Sequence, residues 1–582
     1  MNNTETTDGS ISIMIAGSGG AGAMTAGAML LDAAARAGWY GLMTRSYGPQ
    51  IRGGEALAII RLSSQPVASR SDCDQVLLAI DWRNIERFLP DFRLNPDSLI
   101  IGDTKMGDAP ECIAALTTHQ QQLPITQLAK KIPKGRPNMI ALGILSRLIN
   151  LPQHLTVAAV KKGLEGKDAD AVEASISAVQ SGMIAAAALP RLDNIPARSP
   201  CSAKRWSITG NEAAAYGAVL GGVRFAAGYP ITPATEVLEY LATALPGLGG
   251  TLLQAEDELA AVGQIIGASY GGVPAMTATS GPGLALMTEC IGLAVAAEVP
   301  IVVLDVMRGG PSTGIPTKSE QSDLNLAIYG LHGDAPHLVL APLSVADCVF
   351  TMQWAVHLAE ALQTPAIVLS DQFLGQTRTI IDCVPEETFT ANRNIPAPQE
   401  LNGNYQRYKV TESGVSPMSI PGMQGGQYTA DGLEHNQQGH PSAAASDHAT
   451  QLSKRLRKIT DHDFGEHWAD IRGAGETAIV TWGSTFGPVI EAVEKIPAWQ
   501  KEIRVIGIRL LAPHRPAQLA AALDGVSRVL IVEQSQTGQF RDYLRAKYDL
   551  PGELRSYSQP GPLQISPDTL REQITGWIQH GC

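Results

Sequence analysis

The sequence predicts an α/β protein made of several parallel-sheet domains, and three observations carry that prediction. Short β-type runs alternate with helical stretches along most of the chain, glycine-rich turns stand where a strand gives way to a helix, and 582 residues exceed what one hydrophobic core supports. At roughly 150 residues per domain the length corresponds to about four units. Hydrophobic residues make up 44% and charged residues 17%, enough apolar surface to order most of the chain.

The first strand is ISIMIA at 11–16, followed by the turn GSGGAG at 17–22 and a helical run to residue 31. Strand candidates at 75–80 and 98–101 and helices at 139–151 and 169–188 complete an α/β domain over 1–195. Three prolines within 190–200 mark a linker. A second α/β domain, 196–390, opens with a helix at 210–220. It continues through GGVRFAAGYPITP (221–233), where Thr232 can cap the next helix and Pro233 suits its first turn. A helix at 258–268, a strand at 275–279, the loop SGPG, a helix at 284–297 and a strong strand at 301–306 follow. Residues 391–475 lack apolar periodicity and are read as an irregular connection. The rhythm returns in a small α/β domain, 476–582, with strands at 477–482, 503–510 and 529–533 and helices ending near 494 and 523.

Composition narrows function. Lys and Arg total 44 against 56 Asp and Glu, a formal charge of -12, and no basic block occurs, so nucleic-acid binding is not expected. The most apolar window, 291–306, is broken by Glu298 and Pro300, and the first ten residues are polar; a soluble protein, neither exported nor membrane-bound, is expected. Seven cysteines lie far apart with no CxxC pair, which fits a reducing cytoplasm and argues against a zinc site, a disulfide framework or an iron–sulfur cluster held by this chain.

Several constellations can carry chemistry. GSGGAG fits GxGxxG, whose glycines let a backbone approach a pyrophosphate, with Gly19 and Gly20 at its centre. The nicotinamide or flavin reading also needs an acid at the end of the second strand, and WYGLMTRS (39–46) has none. A packing role, another phosphorylated ligand or a subunit contact remain open. SYGPQIRGG (46–54) sets Arg52 in a glycine-flanked turn, where it can fork onto a phosphate or simply brace a loop through a salt bridge. YPITP (229–233) offers a hydroxyl and backbone groups at a strand end, and EDE (256–258) brings acids up against LAAV (259–262). A carboxylate that loses hydration can share a proton with a ring nitrogen near neutral pH, although an acidic cluster at a helix start is also favoured by the dipole alone. Arg308 emerges from the strongest strand and is costly to bury unless an anion, an Asp or a substrate carboxylate, meets it. His435, His440 and His448 lack metal-site spacing and read as solvated loop residues; Cys112, Cys290 and Cys348 read as core fillers.

Taken together, YPITP, EDE, TSGPG (279–283) and MRGGPSTGIPTKSEQSDL (307–324) resemble the α subunit of the 2-oxoacid:ferredoxin oxidoreductases. GSGGAG and YGPQIRGG resemble that family's γ domain, the last domain its transketolase-C-like portion, and 428–458 the 2-oxoglutarate branch, so the chain is similar to a γ–α fusion along nearly its whole length.

The resemblance implies a thiamine diphosphate-dependent enzyme interconverting 2-oxoglutarate, coenzyme A and oxidised ferredoxin with succinyl-CoA, CO2 and reduced ferredoxin. Pyruvate or a broad range of 2-oxoacids is the alternative substrate reading. It implies that Glu258, rather than Glu256, contacts the aminopyrimidine, within a pyrimidine-binding domain whose loop Tyr229, Pro230, Ile231 and Thr232 lines the cofactor and substrate. Arg308 clamps a substrate carboxylate and Thr317 faces the substrate's far end or caps its own loop. Coenzyme A is assigned to the γ-like domain, with Gly19, Gly20 and Arg52 as candidates. The sequence has no GDG metal loop and no cluster cysteines, so the diphosphate, Mg2+ and iron–sulfur cluster are expected on a β subunit, in an αβ or (αβ)2 assembly. A self-contained NAD or FAD oxidoreductase and a non-catalytic scaffold subunit are the competing readings.

Overall fold

A computed structural model describes the chain except residues 1–8, 19, 49–53, 191, 193–203, 385–388, 402, 404 and 581–582. Gly19, Arg52 and most of the 190–200 linker therefore lie outside the described residues. The chain forms two compact units. One comprises residues 1–209 with 376–384 and 566–569, and the other holds 210–375, 385–565 and 570–582.

The first unit is built on an eight-stranded sheet in the order 119–123, 99–103, 76–79, 10–18, 55–63, 40–47, 378–382, 205–209. Strand Ser10–Ser18 pairs parallel with Val76–Ala79 but antiparallel with Glu55–Ser63, which in turn pairs antiparallel with Tyr40–Tyr47. The sheet is therefore mixed, and the helix after the glycine turn does not cross over to a parallel neighbouring strand as a dinucleotide-binding βαβ unit would. Helix Ala23–Arg36 starts behind Gly22, whose φ of 83° no branched residue adopts readily. A Cβ there would also stand 2.3 Å from Asn138 Nδ2.

Helix Ala169–Ala185, with its short continuation to residue 188, is long and apolar enough by composition to cross a membrane. In this fold it packs on helix Pro137–Leu148. Gly143 lies against the Val179 carbonyl and Gly182 against the Ile140 carbonyl, so closely that a Cβ on either would meet that oxygen at 2.0 or 2.1 Å. That packing buries one face of the helix, including Ile176, Ala178 and Val179, while Ile184 stays 76% exposed.

The second unit carries a seven-stranded sheet, ordered 510–512, 338–340, 366–371, 302–307, 275–279, 225–228, 251–254, and a five-stranded sheet ordered 469–473, 503–508, 477–482, 528–533, 553–558. The expected strand 503–510 is divided between them. Ile503–Ile508 stays in the smaller sheet, whereas Leu510–Ala512 pairs antiparallel with Leu338–Leu340 and joins the larger.

The expected irregular connection is irregular as far as residue 444 and then forms helix Ala445–Thr460. That helix buries Gln451, Lys454, Arg455, Lys458 and Ile459, one face of a helical repeat that is almost wholly polar. Its ammonium groups meet Glu298, which is completely buried: Lys454 Nζ is 2.6 Å from Oε1 and Lys458 Nζ 2.9 Å from Oε2. Arg407 donates to the Glu298 carbonyl at 2.8 Å. Burial alone would raise the Glu298 carboxyl, yet Lys454, Lys458 and Arg407 hold it well below the ordinary carboxylate range. Burial pushes both lysines down, against the pull of Glu298.

The neighbouring His435 departs from the solvated reading. It is buried, stacks on Tyr408 with ring centres 3.7 Å apart, and reaches the Ala296 carbonyl with Nε2 at 3.2 Å. An aromatic face and a helix-end carbonyl offset its lost hydration. His440 and His448 are exposed.

Glu298→Gln removes the one anion facing three buried cations and should cost about 3–5 kcal/mol in denaturant unfolding at pH 7. Because the Glu298 carboxyl is depressed in the fold, its contribution is present above the unfolded value near pH 4 and lost on acidification, so the variant should unfold with a flatter acid dependence than the parent.

Candidate active site

Parallel pairing sets the geometry of the site. Strands Phe225–Gly228, Thr251–Gln254, Ala275–Thr279 and Val302–Met307 are consecutive parallel neighbours, so the loops that leave their carboxyl ends share one edge of the sheet. Those four loops carry YPITP, EDE, SGPG and Arg308.

After the first strand, the Ala234 and Thr235 amides both donate to the Ile231 carbonyl, at 2.8 and 3.0 Å. This closes a turn before helix Thr235–Ala244 begins. Thr232 consequently does not cap the helix: Ala234 holds that position without a side-chain bond, because the chain needs the extra turn to redirect itself. The Asn211 amide fixes the loop from behind, donating to the Pro233 carbonyl at 2.9 Å. Tyr229 and Pro230 are exposed, Ile231 and Thr232 half-buried.

Asp257 caps the next helix, accepting from the Ala260 amide at 2.7 Å, which places Glu258 at its first position. Glu258 is buried whereas Glu256 and Asp257 are exposed. The Glu258 side chain lies over Gly283, where a Cβ would stand 2.7 Å from its Cγ, 2.9 Å from Oε1 and 2.0 Å from Thr279 Oγ1. Only glycine leaves room for the carboxyl at the start of helix Gly281–Ala296. The two helices that bound this corner are apolar beyond their buried faces: Leu259 is 48% and Leu286 51% exposed, and Gly263 and Gly267 face open space.

Arg308 follows the strand Val302–Met307 and is buried, with Nη1 donating to the Thr232 carbonyl at 2.5 Å and Nε lacking a hydrogen-bond partner among the described residues. Burial pushes the guanidinium below its ordinary value, against the pull of Asp323 and Asp305. The following loop folds back on itself: the Gly309 amide donates to the Lys318 carbonyl at 2.9 Å and Ile315 N to the Gly309 carbonyl at 2.7 Å. Thr317 is thereby buried in the hairpin beside Arg308. Gln321, fully buried, ties the loop's far end to the smaller sheet through the Trp482 carbonyl at 2.9 Å and the Gln534 amide at 2.8 Å. Sequence reading missed Asn211 and Gln321. Asparagine or glutamine at an element's edge carries no periodic signal, and only the tertiary partners reveal the role.

The first unit has its own site candidate, a cavity of about 1240 Å³. The glycine turn lines it through Ser18, Gly20 and Gly22, and Lys134, Arg136 and Lys167 line it too. The Ser18 amide and hydroxyl both donate to Asp81, at 3.0 and 2.5 Å, which fixes the turn.

Residues 216–454 match the family model for pyruvate flavodoxin/ferredoxin oxidoreductase, thiamine diP-binding, and residues 12–185 the model for pyruvate ferredoxin/flavodoxin oxidoreductase. The chain is 36% identical over 367 residues to the 2-oxoglutarate synthase subunit KorA of Methanothermobacter marburgensis, covering 62% of this chain and 96% of that one. The chain belongs to the 2-oxoacid:ferredoxin oxidoreductase family. Within this family, the 2-oxoglutarate oxidoreductase subunit KorA of Mycobacterium tuberculosis is 36% identical over 341 residues, 56% of this chain and 50% of that one. The solved 2-oxoglutarate:ferredoxin oxidoreductase of Magnetococcus marinus, with 2-oxoglutarate, coenzyme A and succinyl-CoA bound, superposes with a TM-score of 0.88 and 34% identity. That match covers 98% of this 2-oxoacid:ferredoxin oxidoreductase chain and 100% of the solved one.

Gly283→Ala would force a methyl group into Thr279 and Glu258. Thermal or denaturant unfolding should show a loss of about 1–3 kcal/mol, the range for overpacking, whereas Gly263→Ala, inside a helix with open space at its Cβ, should gain roughly 0.5–1 kcal/mol from helix propensity.

Proposed function

We propose that this chain is the catalytic α-type subunit of a 2-oxoglutarate:ferredoxin oxidoreductase that forms succinyl-CoA, and that it works as half of a shared active site. The observation that carries the reading is the meeting of Thr232 and Arg308 on the sheet edge that also holds Glu258, in a chain similar along almost its full length to an enzyme of that activity.

The residues fit a bound thiamine ring. Glu258 is buried, and Gly283 leaves it no methyl neighbour, so a ring nitrogen could approach its carboxyl. When bound, thiamine diphosphate supplies the nucleophilic carbon and the electron sink that decarboxylation requires. Glu258 would hold a proton at the aminopyrimidine N1′ and favour the tautomer whose exocyclic nitrogen accepts a proton. Tyr229, Pro230 and Ile231 would form the wall of the ring pocket. The Thr232 hydroxyl would donate to the 2-oxo oxygen of the substrate, while its carbonyl holds Arg308 in place. Arg308 would fork onto a substrate carboxylate, and Thr317, beside it in the hairpin, would meet the distal carboxylate that separates 2-oxoglutarate from pyruvate.

The diphosphate, its Mg2+, the iron–sulfur cluster and the contact with ferredoxin are assigned to a β subunit, in an αβ or (αβ)2 complex. The open apolar faces around Leu259, Gly263, Gly267 and Leu286, which begin next to Glu258, support a seat for that partner. Coenzyme A is assigned to the cavity of the first unit. Its glycine turn at Gly20 and the cations Arg136 and Lys167, beside a Lys134 paired with Asp168 and Asp170, suit a phosphorylated ligand; Gly19 and Arg52, neighbours of that turn in the sequence reading, belong to the same proposal.

The test is steady-state kinetics of the chain co-purified with its small partner subunit. The complex should reduce ferredoxin or a dye in a reaction that needs both 2-oxoglutarate and coenzyme A, and the chain alone should be inactive. Arg308→Lys should lower kcat/KM roughly 10- to 100-fold, the worth of one charge-assisted hydrogen bond lost from a forked contact. Activity of the lone chain, or an Arg308→Lys complex that works like the parent, would refute the assignment.

A further inference from the structure

The proposed chemistry leaves two buried acids unused. Asp305 lies within strand Val302–Met307, opposite Thr279 on one neighbour and Leu369 on the other. It is fully buried, and neither carboxyl oxygen has a hydrogen-bond donor among the described residues. Asp323, which precedes helix Leu324–Tyr329, has Oδ2 equally without a donor and packs so tightly on Gly281 that a Cβ there would stand 2.5 Å away. Asp305 stands opposite Thr279 and Asp323 lies against Gly281, two residues further along the same chain, so the two carboxyl groups are neighbours that act on each other. Ionised carboxylates only accept, so two of them can bond only if a proton lies between them.

The charged surroundings are few. Arg308 acts on both acids from the end of the same strand, and Glu320 acts on Asp323 from the adjoining loop. On the neighbouring strand Ala366–Asp371, Asp371 Oδ1 accepts from the Leu374 amide at 2.9 Å, while its Oδ2 has no donor among the described residues. On the other neighbouring strand Thr279 stands opposite Asp305, and its hydroxyl and the Glu258 carboxyl both lie against Gly283. Arg308 is thus the cation that must balance the pair, and a fully ionised pair would outweigh it.

We propose that Asp305 and Asp323 are positioning residues that hold one proton between them, so that Arg308 faces one negative charge rather than two and keeps its guanidinium available to the carboxylate of a 2-oxoacid. The proposal rests on the reading of Arg308 as the substrate clamp. Burial pushes the Asp305 carboxyl well above the usual range, with Asp323 adding to the shift and Arg308 opposing it; Asp323 is pushed up to about 6, by burial first and then by Glu320. Both shifts run upward from the ordinary carboxylate range, so the pair retains one proton through neutrality. Release of that proton adds a negative charge behind Arg308; a unit charge acting over roughly 10 Å at an effective dielectric of about 20 would weaken carboxylate binding on the order of tenfold.

Two measurements test this. In the complex with the partner subunit, KM for 2-oxoglutarate should rise roughly tenfold as pH is taken from 7 into the alkaline range, with kcat following a different profile. Asp323→Asn, which supplies a permanent donor to Asp305 and cannot ionise, should flatten that rise. In the isolated chain, infrared spectra should contain the carbonyl stretch of a protonated carboxylic acid at pH 7, lost on alkaline titration and absent in Asp305→Asn. An unchanged KM profile in Asp323→Asn, a pH-independent KM in the parent, or no protonated acid at neutral pH would each overturn the proposal. If the parent complex turned over no 2-oxoacid, the clamp reading would fall, while the infrared titration would still decide whether the pair holds its proton.

Discussion

The candidate site depends on one constraint, the parallel register of four neighbouring strands. Because Phe225–Gly228, Thr251–Gln254, Ala275–Thr279 and Val302–Met307 all run the same way, four loops far apart in sequence leave the same sheet edge. Each loop then needs only a local device to aim its side chain. The Ile231 carbonyl closes one turn, the Asp257 cap sets the helix phase of Glu258, Gly283 clears space for it, and the hairpin from Gly309 to Lys318 returns Thr317 beside Arg308. An antiparallel strand among the four would send its loop to the opposite edge.

Charge is handled differently at two depths of the second unit. At Glu298 a buried carboxylate is matched by two lysines and an arginine, with hydrogen bonds to Lys454, Lys458 and, through its carbonyl, Arg407. That cluster fastens helix Ala445–Thr460 and the irregular chain around Arg407 to the end of helix Gly281–Ala296, whose last carbonyl also meets His435. Both carboxyl oxygens of Glu298 are taken up by ammonium groups, so the cluster serves to hold the segment in register. At Arg308 the balance is left incomplete: the guanidinium makes one hydrogen bond to a backbone carbonyl, and among the described residues both carboxyl oxygens of Asp305 and Oδ2 of Asp323 lack a donor. Unfinished electrostatics beneath a loop edge is what a site awaiting an anionic ligand requires.

The α/β class and the elements nearest the site were legible in the sequence, because buried parallel strands are short apolar runs and their helices follow at glycine or capped turns. Ala275–Thr279 and Thr477–Trp482 fall where the apolar runs place them. Helix Ala445–Thr460 was not legible, since the face it buries is made of Gln451, Lys454, Arg455 and Lys458 and carries no hydrophobic period. The mixed order of the first sheet was hidden for another reason: Glu55–Ser63, an unbroken buried run, gives no sign of its direction, and only pairing makes it antiparallel to Ser10–Ser18. The same holds for Leu510–Ala512, whose transfer to the larger sheet depends on tertiary contact. Of the candidate site, residue types drew attention to EDE, YPITP and Arg308, and the family resemblance singled out Glu258, Thr232, Arg308 and Thr317, whereas Asn211, Gln321 and the two acids Asp305 and Asp323 depend on partners that no local pattern announces.

The account is tested most directly by a structure of the chain assembled with its partner subunit and thiamine diphosphate. It predicts the Glu258 carboxyl within about 3 Å of the aminopyrimidine nitrogen, hydrogen-bond distance, with Arg308 and Thr232 on the side of the ring where substrate enters. A cofactor bound away from Glu258, or with Arg308 turned from it, would contradict the account.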